Sequence, residues 1–419
     1  MTDSIAFVKQ KDREDPLAAF HKCFYHPKNT IYLDGNSLGK LPLGVKETQL
    51  ELIQEQWGEN LIGSWNDHWL ELPQRLALQL SQLLGAQPNE IIVGESTSVR
   101  LFQIAQALAR TNVFPKRMVT DNLNFPTDAY ILGGIAQQTW GKELETVCYE
   151  NELEADLTQL KKTIEQKPGI YCLSLVTYKS GYLYPLIELN RHARQNQSVI
   201  IWDLSHAVGV VALDFKKSET RVALGCTYKY LNGGPGSPAF LYIDEELNRQ
   251  LENPIAGWFG HAEPFAFSSC YAPGPDIQKM AIGTPGILSM AALEKGLSLC
   301  LEAGIDALEQ KSRDQTQWLR EAITKRLTSY GVAVETPKDA NRRGAHISIS
   351  HPDAWRITQA LQSGSPKIIP DYRPDRFIRM GLAPLYTRYR DLLITVEQLE
   401  MILKSESHIK FSKKKPTVT

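Results

Sequence analysis

What most restricts the fold of this chain is the alternation, between about residues 90 and 203, of short apolar runs with segments of helical character. Glu90-Ile91-Ile92-Val93-Gly94 reads as a strand, and Ser96-Thr97-Ser98 then precedes Val99, Phe102, Ala105 and Leu108, an apolar stripe at helical spacing. Residues 169–176 and 198–203 are further buried-strand candidates, and the polar segment 186–197 between them reads as a helix. Strand, crossover helix and strand make a βαβ unit, so the expected class is α/β, with a mainly parallel sheet covered by helices. Near Leu288 the texture changes: helical patterns over 290–308 and 311–330 are followed by short strands at 332–335, 345–349 and 377–380, which predicts a smaller α+β domain beside the larger one. The expected division is an N-terminal segment (1–50) joining the small domain, a large domain (51–290), a small domain (291–410) and a disordered tail (411–419) holding Lys413, Lys414 and Lys415.

At 419 residues the chain can bury more than one core, and a 42% hydrophobic content excludes a disordered chain. With 46 Lys+Arg against 47 Asp+Glu there is no global positive charge to hold nucleic acid or an acidic membrane. No apolar run approaches the roughly 18–20 residues that cross a bilayer. The first sixteen residues carry Asp3, Lys9, Lys11, Asp12, Arg13, Glu14 and Asp15 in place of an apolar signal core, so a cytoplasmic protein is expected. Cys23, Cys148, Cys172, Cys226, Cys270 and Cys300 are scattered singly, without the close pairs of a zinc site or a redox motif; free buried thiols and no metal centre are the expectation.

The chemistry concentrates in Gly225-Cys226-Thr227-Tyr228-Lys229-Tyr230-Leu231-Asn232-Gly233-Gly234-Pro235-Gly236. Aromatic residues flank the lysine, and three glycines in four positions allow backbone to turn tightly around a bound group. Taken singly, Lys229 reads as a surface charge and Asp203 as the cap of a helix starting at Leu204. Together they mean more, because Asp203 ends an apolar strand and so lies at the carboxyl edge of the sheet, where open α/β folds bind ligands. A lysine that holds the cofactor and an acid that keeps its ring nitrogen protonated are what pyridoxal phosphate requires. Ser96-Thr97-Ser98 at a helix start offers hydroxyls and free backbone N–H groups for the phosphate, and Asn124-Phe125-Pro126-Thr127-Asp128 offers an aromatic face and a polar anchor.

These segments, with Tyr32-Leu33-Asp34-Gly35-Asn36-Ser37-Leu38-Gly39, Asp203-Leu204-Ser205-His206, Gly257-Trp258-Phe259-Gly260-His261 and Ala383-Pro384-Leu385-Tyr386, resemble the kynureninase family, in order from about residue 30 to residue 400. The resemblance implies a fold-type-I pyridoxal-phosphate enzyme, homodimeric, that hydrolyses kynurenine to anthranilate and alanine in tryptophan catabolism. By motif, it implies that Lys229 carries the cofactor, Asp203 pairs with the pyridine nitrogen, Phe125 stacks on the ring and Asp128 is a second anchor. Thr97, Ser98 and Tyr228 resemble phosphate or cofactor contacts, Ser174 and His206 complete the pocket, and Trp258 and Thr284 reach the phosphate across the dimer interface. Tyr228 resembles the proton donor of the reaction.

Arg379 looks like the clamp for the substrate carboxylate, a role a planar guanidinium fills by two parallel hydrogen bonds; Arg373 is the alternative. Trp65 and Gly283 match positions that shape the aryl pocket, although Trp65 reads almost as well as core. Asn36 and Ser37 either face the substrate or form the turn that Asp34-Gly35 begins. One departure stands out: Arg100 follows Thr97-Ser98-Val99 where the family usually has Asn, and it points either to solvent or toward the phosphate. The competing readings are a cysteine desulfurase, which needs an exposed reactive cysteine, a paralogue acting on a substituted kynurenine, and a non-catalytic protein of the same fold.

Overall fold

The computed structural model describes residues 5–415. Its strands are β1 (Thr30–Tyr32), β2 (Ile91–Val93), β3 (Met118–Asp121), β4 (Glu145–Val147), β5 (Ile170–Ser174), β6 (Val199–Asp203), β7 (Val222–Gly225), β8 (Phe240–Ile243), β9 (Ala333–Val334), β10 (His346–Ser350), β11 (Lys367–Ile369), β12 (Asp371–Arg373) and β13 (Phe377–Gly381). Seven form the central sheet in the order β2-β8-β7-β6-β5-β3-β4, in which β8 alone runs antiparallel to its neighbours. Two reversals at β8 return β2 to the direction of β7. The carboxyl ends of β2, β3, β5, β6 and β7 therefore share one edge.

Every residue of β5 and β6 is buried, because helices cover both faces. Ile170, Cys172, Val199 and Ile201 pack with Leu101, Ile104 and Leu108 of the helix Thr97–Arg110 and Leu132 of the helix Pro126–Trp140. Tyr171, Leu173, Ile200 and Trp202 face the opposite layer, with Leu76 and Leu80 of the helix Leu72–Leu84 and Leu189 of the helix Leu186–Gln195. The βαβ unit expected at 169–203 is present, with Ile170–Ser174 in parallel register against Val199–Asp203.

The second unit is an antiparallel sheet, β12-β13-β10-β9. Ile347, Ile349, Tyr372, Ile378 and Met380 turn one face into a core with Leu319, Ile323, Leu361, Leu392 and Val396. Alternation along the strands leaves His346, Ser348, Asp371 and Arg379 on the opposite face. The N-terminal segment lies on this unit: β1 pairs in parallel with β11, Asp34 bridges Gly381, and the Tyr389 amide donates to Asp12 at 2.7 Å.

Helix Ile287–Ala303 puts Met290, Leu293, Leu297 and Cys300 into the large core, so the boundary expected at 290 falls inside it. Of the expected tail, 411–415 is docked rather than disordered, since Arg356, Gln359 and Trp355 donate to the carbonyls of Phe411, Ser412 and Lys414 at 3.0, 2.8 and 2.9 Å. Residues 416–419 lie outside the described residues. All six cysteines are free; Cys172, Cys226 and Cys300 are buried, but Cys148 and Cys270 are exposed, against expectation. Among the described residues no helix is long and apolar enough to cross a membrane.

Candidate active site

Asp203 closes β6 in register with Ser174 of β5 and Leu224 of β7. From Gly225 the chain leaves the sheet into the lysine turn, where Asn232 donates its amide to the Lys229 carbonyl and Gly233 to that of Thr227 at 2.9 and 3.0 Å. Asn232 and Gly234 adopt left-handed backbone. Gly39 closes over this turn: its amide donates to the Tyr228 carbonyl at 2.7 Å, and a Cβ there would run into the Lys229 carbonyl, so only glycine fits. The Lys229 Nζ lies 3.3 Å from His206 Nε2.

Asp203 is not a helix cap, because the residues after it form turns, and its Oδ1 accepts the Ser205 amide at 2.8 Å. Asp128, in the first turn of the helix Pro126–Trp140, feels both partners. Burial and the Asp203 carboxylate push its carboxyl well above the usual range, with the Lys229 ammonium working against them. Its Oδ2 is buried and has no hydrogen-bond partner. His206 is held neutral, its pKa far below the usual value because of burial first and then Lys229 and Arg379.

On the β2 side, Ser96 caps the helix Thr97–Arg110 by accepting the Val99 amide at 3.3 Å, and the first-turn amides of Thr97 and Ser98 precede any intrahelical acceptor. Ser98 is exposed and Thr97 half-buried. Arg100 does not point to solvent. It is 1% exposed and donates to the carbonyls of Gly94 and Met280 and to Gln103 Oε1 at 3.1, 2.9 and 2.7 Å, tying the helix start to the turn at 276–280. Burial pushes its pKa down to about 10.

Phe125 stands at the N-terminus of the next helix and is 40% exposed. The Ser174 hydroxyl donates to Asn124 Oδ1 at 2.5 Å, and the Phe125 amide donates to the same oxygen at 2.9 Å, so Asn124 ties Ser174 to Phe125. An acid, a lysine, an anion-ready helix start, an open aromatic face and a buried carboxyl oxygen without a partner converge on one edge. This set fits pyridoxal phosphate.

The polar face of the small sheet meets this edge. The rings of His206 and His346 lie 5.7 Å apart. Arg379 is 1% exposed; its Nε donates to Asp371 Oδ2 at 2.6 Å, Nη2 reaches the same oxygen, Nη1 donates to the Tyr178 carbonyl at 2.5 Å, and Ser37 Oγ lies 3.4 Å from Nη2. A guanidinium has five N–H donors; Asp371, Tyr178 and Ser37 engage four of them, which leaves one Nη1 donor without a protein partner among the described residues. Arg373, the alternative clamp, is more exposed and donates to that same Asp371 oxygen at 3.0 Å. Asn36 is fully buried above Gly381, with neither amide atom partnered.

Burial and Asp371 push the Asp34 carboxyl up to about 6, while Ser37, Arg379 and Arg373 work against them. The folded chain therefore holds this proton more tightly than the unfolded one, and stability falls as pH rises through the window from 3.8 to about 6. Asp34→Asn is expected to flatten that fall by on the order of 2 kcal/mol, read as the pH dependence of the urea midpoint. A slope unchanged from wild type would mean that Asp34 titrates normally.

Three expected site residues stand apart. Among the described residues no hydrogen bond or ring contact joins Trp65, Trp258 or Thr284 to Lys229, Asp203 or Asp128. Trp65 is half-buried against Trp69 and Phe259, with ring centroids 5.3 and 6.1 Å away, and Trp258 packs on Phe259 and Phe265 at 4.4 and 5.7 Å. Thr284 is exposed. Conversely, the sequence suggests no site role for His346, Asp371, Asp34 or Tyr178. The polar alternation of His346, Ser348 and Ser350 was the available signal.

The family model described as "Kynureninase C-terminal domain" matches residues 308–399. A kynureninase from Burkholderia mallei is 36% identical over 401 residues, 94% of each chain, and one from Pseudomonas fluorescens is 36% identical over 397 residues, again 94% of each. Among solved structures, a cysteine desulfurase from Thermococcus onnurineus matches with a TM-score of 0.77 at 17% identity, covering 95% of this chain and 98% of that one. One from Escherichia coli matches at 0.78 and 18%, covering 93% and 98%. These two establish the fold; the two relatives, matched over nearly their whole length, establish more. The chain belongs to the kynureninase family.

Proposed function

We propose that the chain is a pyridoxal-phosphate-dependent hydrolase that splits the Cβ–Cγ bond of L-kynurenine, releasing anthranilate and L-alanine in tryptophan catabolism. The carrying observation is the convergence of Lys229, Asp203 and Asp128 at the sheet edge, faced by Arg379. When bound, pyridoxal phosphate supplies a protonated ring that takes up electrons from the substrate carbon. Lys229 would hold it, with Asp203 on the ring nitrogen, Thr97 and Ser98 on the phosphate, Phe125 on the ring face, and Asp128 and His206 at its rim.

Arg379 binds the substrate carboxylate, beside Ser37 and Asn36. Lys229, whose Nζ lies 3.3 Å from His206 Nε2, takes the proton from the substrate Cα. Water adds its hydroxyl to the ketone carbon and the Cβ–Cγ bond breaks to release the aryl acid; Tyr228 gives a proton to Cβ and is restored by the proton the water lost, and Lys229 returns its proton to Cα. Burial first, and then Cys226, keep that proton on Tyr228 until it is needed, by raising the pKa of the phenol. Tyr228→Phe is expected to lower kcat about 100-fold with cofactor content and KM little changed. An unchanged single-turnover rate would remove Tyr228 from the mechanism.

The site is completed in a cytoplasmic homodimer, with Trp258 and Thr284 reaching the partner's phosphate and Trp65 and Gly283 its aryl pocket. The exposed aromatic patch of Trp258, Phe265 and Phe267 supports this arrangement. A desulfurase reading has no nucleophile in Cys300, which is buried, with its thiol pushed up to about 12. The deciding experiment is incubation of the purified, cofactor-loaded protein with kynurenine and with 3-hydroxykynurenine, read by anthranilate fluorescence and product chromatography. Absence of the aryl product from both would overturn the proposal.

A further inference from the structure

A kynurenine-like substrate is held at two points, by its amine near Lys229 and by its carboxylate on Arg379, and both lie on a single chain. Its aryl ring hangs three bonds beyond Cα. Trp65 and Gly283, the residues the sequence offers for that ring, have no contact with either anchor. Tyr178 does touch the structures at both ends: its carbonyl accepts from Arg379 Nη1 at 2.5 Å, and its ring stands edge-on to Phe125 at a centroid distance of 5.4 Å.

The element presenting Tyr178 is rigid. Val176 and Leu183 bridge across a tight turn in which the Thr177 carbonyl accepts the Gly181 amide at 3.0 Å and Thr177 donates its own amide to Tyr182 at 2.9 Å. Gly181 takes left-handed backbone, and a Cβ there would press on the His346 carbonyl at 3.0 Å, so the turn lies flush on the small sheet. The Tyr178 ring is only half-buried, and its phenol makes no hydrogen bond among the described residues. An aromatic side chain with an unengaged hydroxyl thus projects from a held turn; its backbone meets Arg379 and its ring meets Phe125.

We infer that Tyr178 is the same-chain residue that reads the aryl ring of the substrate, by ring-on-ring contact. The inference rests on the proposed function and deepens it, since it assigns the ring to a residue outside the motifs that suggested the reaction. Its backbone contact with Arg379 survives any side-chain change, so clamp and aryl contact can be separated.

The test uses the cofactor-loaded protein and two binding probes, anthranilate followed by its own fluorescence and L-alanine by competition. Tyr178→Leu is expected to weaken anthranilate roughly five- to tenfold, the worth of one aromatic pair, while L-alanine binding stays within about twofold. The kcat/KM for kynurenine falls by the same factor as anthranilate affinity, and Tyr178→Phe restores most of both. Equal weakening of the two probes would show a merely structural role and overturn the inference, as would no weakening of anthranilate or a wild-type protein that binds none. If wild-type protein releases no anthranilate from kynurenine, the functional reading fails by a separate measurement, and the split between the two probes still decides the role of Tyr178.

Discussion

Lys229→Ala is expected to lower anthranilate release by ~10⁴-fold or more while leaving the fold intact. Two facts make the loss functional rather than structural. Lys229 is only half-buried, and its ammonium is 3.3 Å from His206 with no carboxylate in ion-pair distance among the described residues, so little packing or pairing goes with it. Its field does more than its contacts: it works against the rise in the Asp128 pKa and helps keep His206 neutral. Removing it therefore takes away the proposed cofactor tether and Cα base, and leaves an imidazole that protonates more readily. The urea midpoint should stay within about 1 kcal/mol of wild type, and cofactor should be lost on gel filtration. Residual turnover above about one hundredth of wild type would mean that the proton is moved by another group.

How much of this was open to a reader of the sequence depends on what decides each feature. β5 and β6 were legible because strands covered on both faces are continuous apolar runs, and Asp203 was legible because it ends one of them. The lysine turn announced itself through its glycines. The pairing of β1 with β11 was not legible, since their partners lie more than three hundred residues apart and each strand has three residues. His346 was hidden for another reason. His346-Ile347-Ser348-Ile349-Ser350 alternates like any half-buried strand, and only the approach of the two units shows that its polar face meets His206 rather than water. The burial of Arg100 was not legible because sequence suggests that a charge finds solvent or an anion, whereas here two backbone carbonyls and a glutamine amide oxygen accept from it in the interior.

The same asymmetry between pairing and burial governs the clamp, where Asp371→Ala and Arg379→Met are expected to do opposite kinds of damage. The two side chains are 2% and 1% exposed and share an ion pair through Asp371 Oδ2, which also accepts from Arg373 at 3.0 Å. Without Asp371, the Arg379 guanidinium keeps the Tyr178 carbonyl and the distant Ser37 hydroxyl, faces Arg373 and has lost its hydrogen-bonded counter-charge, with only the Asp34 carboxyl acting on it through space. That should cost about 3–5 kcal/mol of stability, the usual result of stranding a buried ion. Without Arg379, Asp371 still has Arg373, although a third of that side chain is exposed and solvent screens the pair, so the cost should be nearer about 1–2 kcal/mol. Activity should rank the other way. Arg379→Met removes the groups proposed to meet the substrate carboxylate, so kcat/KM should fall roughly 10²- to 10³-fold, mostly through KM. Asp371→Ala leaves those donors present but unaimed, and at a temperature where it is still folded its loss should be nearer tenfold. Urea midpoints beside kinetics with kynurenine and its α-carboxamide give the check, because only a true clamp makes the acid better than the amide. If Arg379→Met retained that preference, the carboxylate would have to bind elsewhere, and Arg373, already on the same Asp371 oxygen, is where it would go.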